Sequence, residues 1–295
     1  MKKISHIMSA VDFSDPAVIA LNRAGLIARE REAHLLVCHV MNESFFESWP
    51  RGFDPLLSNI SSNLNTEVQQ RLEALADTQK KLGTKHVKTL LAEDEGMNGL
   101  VSEAKKNKTD LVVVGAHGSG YWHDLFLGSF LTKLIAHNPL PTLVVKDQKL
   151  TSYKKVLVPV DFSASTPSLI DAAKAIAPDA AKILFHVVHT PHEGIMRLKK
   201  ASKDQIEQYR QACFDEAKKK LDDLVQSTQD STFTGTVVEL GYAPAQIISY
   251  QRENGCDLVV IGKHGTGFLS DLLVGSVTKL VMTNTSCDML ITVGH

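Results

Sequence analysis

A chain of 295 residues, 43% of them apolar, is long enough for roughly two domains of about 150 residues, each with its own core. Its 32 Lys+Arg against 33 Asp+Glu leave a net charge of -1, which excludes a global field for nucleic acid or an anionic membrane; Lys199-Lys200 and Lys218-Lys219-Lys220 lie among acidic residues, as on a solvated helix face. No apolar run approaches the about 20 residues of a membrane span, no signal-peptide core follows the basic N-terminus, and Cys38, Cys213, Cys256 and Cys287 form no CxxC pair, so a soluble, cytoplasmic protein without nucleic-acid or membrane partners is expected.

Ile4 to Val11 reads as a first strand ending in Asp12-Phe13-Ser14-Asp15-Pro16, where Ser14 or Asp15 can cap a helix and Pro16 suits its first turn. That helix carries Ala17, Ala20, Leu21, Ala24 and Ile27 at three- and four-residue steps. Ala33 to Val40 is a second strand, apolar almost throughout, as a strand covered on both faces should be. Met41 to Ile60 shows aromatics and prolines without period and reads as a loop or irregular surface segment. From Ser61 to Leu82, the residues Leu64, Val68, Leu72, Leu75 and Leu82 predict a helix. A strand over His86 to Leu91, a helix over Gly96 to Lys106 with Met97, Leu100, Val101 and Ala104 on one face, a strand over Leu111 to Val114, a helix over Ser129 to His137 and a strand over Leu143 to Val145 follow.

The polar stretch 147–153 reads as a linker between a domain over residues 1–146 and another over 154–295, because the order of elements then restarts. Lys155 to Val160 is a strand ending in Asp161-Phe162-Ser163, Leu169 to Ala177 a helix, and Ile183 to Val188 a strand. A long amphipathic helix over Ser202 to Gln226 has Ile206, Tyr209, Cys213, Ala217, Leu221 and Leu224 inward. Thr236 to Leu240, Ala245 to Glu253, Leu258 to Ile261, Val277 to Thr283 and Met289 to Val293 complete the second set. Gly262 and Gly275 each stand 147 positions after Gly115 and Gly128, and Asp161 stands 149 after Asp12, so the chain is an internal duplication. Strands alternating with helices argue for a doubly wound α/β fold with a parallel sheet in each half, whose ligands bind outside the strand carboxyl ends. Asp12 or Asp161 would flank one crevice with the glycine loop if strands one and four are neighbours.

The chemistry concentrates where an apolar run meets glycines. Asp257 to Ile261 leads into Gly262-Lys263-His264-Gly265-Thr266-Gly267 and on to Gly275-Ser276; Asp110 to Val114 leads into Gly115-Ala116-His117-Gly118-Ser119-Gly120 and on to Gly128-Ser129. Glycines let amide N–H groups approach an anion, and the start of the next helix adds free N–H groups and a positive dipole end. Neither loop is a Walker A, and GxGxxG fails because Gly120 is followed by Tyr121, Trp122 and His123. His117 and His264 could donate to a phosphate or to a backbone carbonyl. His186, His189 and His192 have metal-like spacing, but a strand presents alternate residues to opposite faces, so an ordinary strand-end cluster is expected. Ser276, His264 and Asp271 are the residue types of a hydrolytic triad without a GxSxG elbow, and Ser276 is expected instead as a helix cap.

The pattern Gly-x-x-Gly, nine residues, Gly-Ser, together with a strand-one Val-Asp-x-Ser, resembles the universal stress protein family, once in each half. The resemblance implies two five-stranded parallel sheets of the adenine nucleotide alpha hydrolase-like kind in tandem, pairing of the two domains along the last strand's edge, and ATP, with or without Mg²⁺, as ligand. By the resemblance, the glycine loop and its Ser hold phosphates, the strand-one Asp lies near the nucleoside, and the end of strand two touches adenine. Carried onto this chain, these are Asp161, Val187, Gly262, Gly265, Gly275 and Ser276, with His264 beside them, and Asp12, Val40, Gly115, Gly118, Gly128 and Ser129 in the first half. The second half matches better: it has Val158-Pro159-Val160-Asp161, where the first has Ser9-Ala10-Val11-Asp12, and Trp122 and Tyr121 add bulk to the first loop. A regulatory nucleotide-binding stress protein is the leading expectation. An interaction module with vestigial loops, built on Phe45, Phe46, Trp49 and Phe53, and a slow adenine-nucleotide hydrolase remain alternatives, and association of two chains is left open.

Overall fold

The computed structural model describes residues 3–40, 54–92, 96–116, 129–264 and 274–293. These residues fall into two compact units, divided in the sequence between Ser152 and Tyr153.

The first unit runs β1 (His6–Ala10), α1 (Asp15–Arg31), β2 (His34–Val40), α2 (Asp54–Lys81), β3 (His86–Ala92), α3 (Gly96–Lys106), β4 (Leu111–Gly115), α4 (Ser129–His137) and β5 (Thr142–Val145). Its strands lie in the order β3-β2-β1-β4-β5 and every pair is parallel. A parallel neighbour needs a crossover, and helices supply it. Winding reverses between β1 and β4, which is where such a sheet opens a crevice. The strands are the core: Leu35, Val37, Cys38, Leu111, Val112 and Val113 are buried. Helix α1 packs on β1 and β4 through Ala17, Ala20, Leu21, Ala24 and Ile27, the stripe its sequence predicts. Ser14 caps it, accepting from the Ala17 N–H, and Glu32 ends it at φ +51°, donating its N–H to Ala28 O and Arg29 O.

The second unit repeats the plan with β6 (Lys155–Pro159), α5 (Thr166–Ile176), β7 (Ala181–Val188), α6 (Glu193–Leu198), α7 (Lys203–Thr228), β8 (Phe233–Leu240), α8 (Ala243–Glu253), β9 (Leu258–Gly262), α9 (Ser276–Asn284) and β10 (Asp288–Thr292). Its parallel order is β8-β7-β6-β9-β10. Ser202 opens α7 with a capping box, its hydroxyl accepting from the Gln205 N–H while the Gln205 side chain accepts from the Ser202 N–H. Lys182, fully buried on β7, donates to Pro178 O, Ala180 O and Thr232 Oγ1 at 3.0, 2.9 and 2.8 Å, so its charge is solvated by the protein itself.

Some expectations need correction. Helix α2 begins at Asp54, inside the stretch expected to be irregular, because Asp54-Pro55 is a helix start rather than a break. Residues 41–53, with Phe45, Phe46, Trp49 and Phe53, lie outside the described residues. Leu82 is 49% exposed rather than inward: α2 stops at Lys81, Gly83 turns the chain at φ +99°, and Ala76 and Gln79 take the buried positions. On α7 only Ala217 and Leu221 are fully buried; Ile206, Tyr209, Cys213 and Leu224 are half-buried where the helix lies on β7 and the unit's edge strand β8. Within the polar stretch 147–153, Lys149 O and Thr151 O accept from the two terminal nitrogens of the buried Arg23. All four cysteines are free thiols, and burial pushes Cys38 up to about 12, which makes it a poor nucleophile.

Candidate functional site

A cavity of about 280 Å³ lies in the second unit at the carboxyl ends of β6 and β9, the neighbours between which the winding reverses. Asp161 and Ser165 reach it from the turn after β6, Val187 from β7, Gly262 and His264 from the end of β9, and Gly275, Ser276 and Thr278 from the start of α9. Leu169, Phe185, Ile247 and Ile261 give it an apolar lining. An apolar wall with a few convergent polar groups suits a flat ring carrying polar substituents.

The mouth of α9 is organised by backbone bonds. Lys263 donates its N–H to Thr292 O at 2.7 Å, Gly275 donates its own to Lys263 O at 2.9 Å, and Thr278 Oγ1 donates to Gly262 O at 2.7 Å. The N–H of Gly275 is therefore committed to the fold. Gly275, at φ -57° and ψ 146°, is the N-cap, and Ser276, expected as the cap, is the first helical residue. A glycine cap offers no side-chain acceptor, so the first amides of α9 meet the cavity with their donors unmet by a cap. That is an arrangement able to take an anion.

A second feature sits at the end of β6. Asp161 Oδ1 accepts the Ser163 N–H at 3.1 Å, and the intervening Phe162 is left-handed, at φ +58°. His186 Nδ1 lies 2.8 Å from Val160 O; a carbonyl only accepts, so Nδ1 carries the proton. The Phe162 and His186 rings face each other at 4.4 Å, tilted by 42°. Burial, the largest influence, pushes the His186 ring below the usual histidine range against the Val160 bond and the Asp161 charge, both of which push it up. The first unit repeats the arrangement: Ser14 N–H to Asp12 Oδ1 at 3.1 Å, Phe13 at φ +62°, His39 Nδ1 to Val11 O at 2.7 Å, and the Phe13 and His39 rings 4.8 Å apart.

The two units differ at the glycine that ends strand four. A Cβ on Gly115 would stand 2.8 Å from Pro16 O and 2.9 Å from the Pro16 carbonyl carbon, whereas one on Gly262 would meet His264 O at 3.1 Å and Ser165 Oγ at 3.9 Å. Counted from the shared Asp-Phe-Ser, α1 begins two residues earlier than α5 and brings its first turn onto β4. Gly115, expected in a phosphate cradle, is thus required by helix packing.

Of the residues named from the sequence, Asp161, Val187, Gly262, His264, Gly275 and Ser276 line one cavity. Asp12, Val40 and Gly115 lie at the carboxyl ends of β1, β2 and β4. Gly118, Gly128 and Gly265, with His117 and Asp271, fall outside the described residues, as does the side chain of Ser129. Among the described residues no three His, Cys, Asp or Glu side chains converge as a metal would require, and no helix is long and apolar enough to cross a membrane. Sequence reasoning missed Ser165, Thr278 and the bond from His186 to Val160. The recurrence of His39-Val40 as His186-Val187 was the available signal for the last of these.

Comparison with known proteins accords with this architecture. The Universal stress protein family model matches residues 3–146 and again 152–292. A universal stress protein of Methanocaldococcus jannaschii is 26% identical over 152 residues, 47% of this chain and 94% of that protein. One of Synechocystis is 26% identical over 259 residues, covering 80% of this chain and 82% of its own length. The crystal structure of a universal stress protein from Archaeoglobus fulgidus shares the fold, with a TM-score of 0.64 at 12% identity over 97% of both chains. With one family domain matched in each half, the chain belongs to the universal stress protein family as a tandem, two-domain member.

Proposed function

We propose that this protein binds an adenine nucleotide, ATP, in the second-domain cavity, and that occupancy acts as a regulatory state in a stress response. The observation that carries the reading is the cavity itself, where Asp161, Val187, Gly262, His264, Gly275 and Ser276 come together from separate segments around an apolar wall. In this reading the base lies against that wall near Val187, Asp161 faces the nucleoside, and the phosphates lie toward His264 and the first amides of α9. A carboxylate repels phosphate, so Asp161 belongs at the uncharged end of the ligand. Binding is favoured over turnover because Asp161, the one carboxylate among the described lining residues, already accepts the Ser163 N–H with one oxygen. The first domain is the weaker site of the two, with Gly115 committed to Pro16.

Melting the full chain with and without ATP, in the presence and absence of Mg²⁺, tests the proposal. A ligand at a hundredfold excess over its dissociation constant raises apparent stability by about 2.7 kcal/mol. ATP should give such a rise and GTP a smaller one. No rise with ATP at millimolar concentration sinks the reading.

A further inference from the structure

We propose that His186 is a positioning residue of the second-domain site, bracing the turn Val160-Asp161-Phe162 so that the Asp161 carboxylate stands at the cavity wall. The ligand in this proposal rests on the nucleotide reading; the bracing rests on geometry alone. β6 ends at Pro159, and the last backbone bond tying its continuation to the sheet is Val160 N–H to Phe185 O at 2.8 Å. Asp161 therefore projects beyond the ladder, and Phe162 next to it occupies the left-handed region that a bulky side chain disfavours. Such a conformation persists only where its surroundings over-determine it.

Four contacts do so. His186 donates from Nδ1 to Val160 O, the carbonyl immediately before Asp161. Its ring lies against the Phe162 ring, and the Lys220 ammonium stands 5.7 Å from that ring's centre. Asp161 closes the turn on the Ser163 N–H. The same parts recur in the first domain, where His39 holds Val11 O, Phe13 lies against His39, and the Arg71 guanidinium stands 4.2 Å from the Phe13 ring. A left-handed phenylalanine accompanied twice by the same histidine brace, in halves whose glycine environments differ, marks the brace as belonging to the turn. His186 also lines the cavity, so its hydrogen bond couples the wall of the site to the backbone that aims Asp161.

The test compares His186→Asn, His186→Gln and His186→Phe in the full chain, reading Ser163 amide exchange and ATP affinity for each. Asparagine places an N–H donor where Nδ1 stands, glutamine places it one carbon further out, and phenylalanine keeps the ring without a donor. The asparagine variant, which keeps the donor and loses only the ring against Phe162, should stay closest to wild type. The other two should exchange the Ser163 amide about tenfold faster and bind ATP about tenfold more weakly, the change expected from one lost hydrogen bond. Should the phenylalanine variant fail to fold, the glutamine variant decides. Wild-type exchange and affinity in the glutamine variant, or equal damage in asparagine and phenylalanine, overturns the proposal. If the wild type binds no ATP, the nucleotide reading falls, while Ser163 exchange still decides whether His186 braces the turn.

Discussion

The backbone carbonyl of Pro16 lies 2.8 Å from where a Cβ on Gly115 would stand, a distance real side chains do not tolerate. Pro16 and Gly115 are 99 positions apart in sequence (115 minus 16), yet the first turn of α1 sets what can occupy the end of β4 only because it begins so early. At the matching place Gly262 faces a hydroxyl, Ser165 Oγ, at 3.9 Å and the His264 carbonyl at 3.1 Å. The same residue type in the same repeat position does two different jobs.

Gly115→Ala should therefore destabilise the first domain by about 1–3 kcal/mol, the usual cost of forcing atoms into a packed contact. Gly262→Ala should cost less than about 1 kcal/mol, since a few tenths of an ångström of adjustment relieve it. Both tryptophans, Trp49 and Trp122, lie in the first half, so urea unfolding followed by tryptophan fluorescence reads that domain. Equal losses in the two variants, with the second domain followed by calorimetry, would contradict the difference in packing.

Gly275 sits at φ -57° and ψ 146°, backbone angles open to any L-residue. Gly275→Ala should keep the fold, weakening the cap of α9 by about 0.5–1 kcal/mol. Its methyl group crowds the approach to the first helical amides, so the ATP-induced rise in melting temperature should shrink or vanish. A full ATP response in a folded alanine variant would move the anion away from the mouth of α9.

Three histidines stack across the first domain at the amino ends of its strands, His6 on His34 at 5.1 Å and His34 on His86 at 4.6 Å, in the parallel register that pairs all three. His34 is exposed at its strand end, yet the loss of water around its ring first, and then the charges of His86, His6 and Lys88, push its pKa below the usual histidine value. The folded state thus binds that proton less readily than the unfolded chain. The contribution is fully present above the ordinary histidine value of about 6.5 and is lost as pH falls through it toward the lower folded value. Between about pH 7.5 and about pH 5.5 the first domain should lose stability, and His34→Gln should lose less across the same window. Parallel pH profiles of wild type and variant would remove the stack from consideration.

Lys182 is held by two carbonyls and a hydroxyl in the interior of the second domain. Lys182→Met keeps much of the volume but leaves Pro178 O and Ala180 O without their donor. The change should destabilise that domain by about 1–3 kcal/mol, measured by calorimetry, despite replacing a charge with an apolar side chain. A stabilised variant would mean that water or neighbouring donors take over the carbonyls.

Much of this architecture could be read directly from residue order. Helices α3 and α4 run over Gly96–Lys106 and Ser129–His137, as their apolar periodicity predicts, because the interactions that set a helix span only a turn or so of chain. The cap at Ser14 and the proline after it are equally local. The duplication, the parallel alternation and the repeated Asp-Phe-Ser and glycine loops follow from counting positions, and they led to the family and to the residues that line the cavity. Helix α2 starts earlier than its apolar periodicity predicts, because Asp54-Pro55 opens a helix beside aromatics that show no period.

What tertiary structure alone decided concerns partners far apart in sequence. The repeat of His39-Val40 as His186-Val187 marks His186 as part of the duplicated plan, but not that its ring bonds Val160 O, 26 residues earlier, rather than joining His189 and His192; the parallel pairing of β6 with β7 brings the two together. Gly275 looks like a free phosphate donor until its N–H is found on Lys263 O. Gly115 and Gly262 are indistinguishable by motif, and they part company because α1 starts two residues sooner than α5 and places the Pro16 carbonyl 2.8 Å from a Cβ on Gly115, whereas a Cβ on Gly262 would meet His264 O, at 3.1 Å, and the more distant Ser165 hydroxyl. Composition and periodicity set the elements because short-range bonding does; the room left at a strand's end depends on atoms that only the packed chain brings within van der Waals reach.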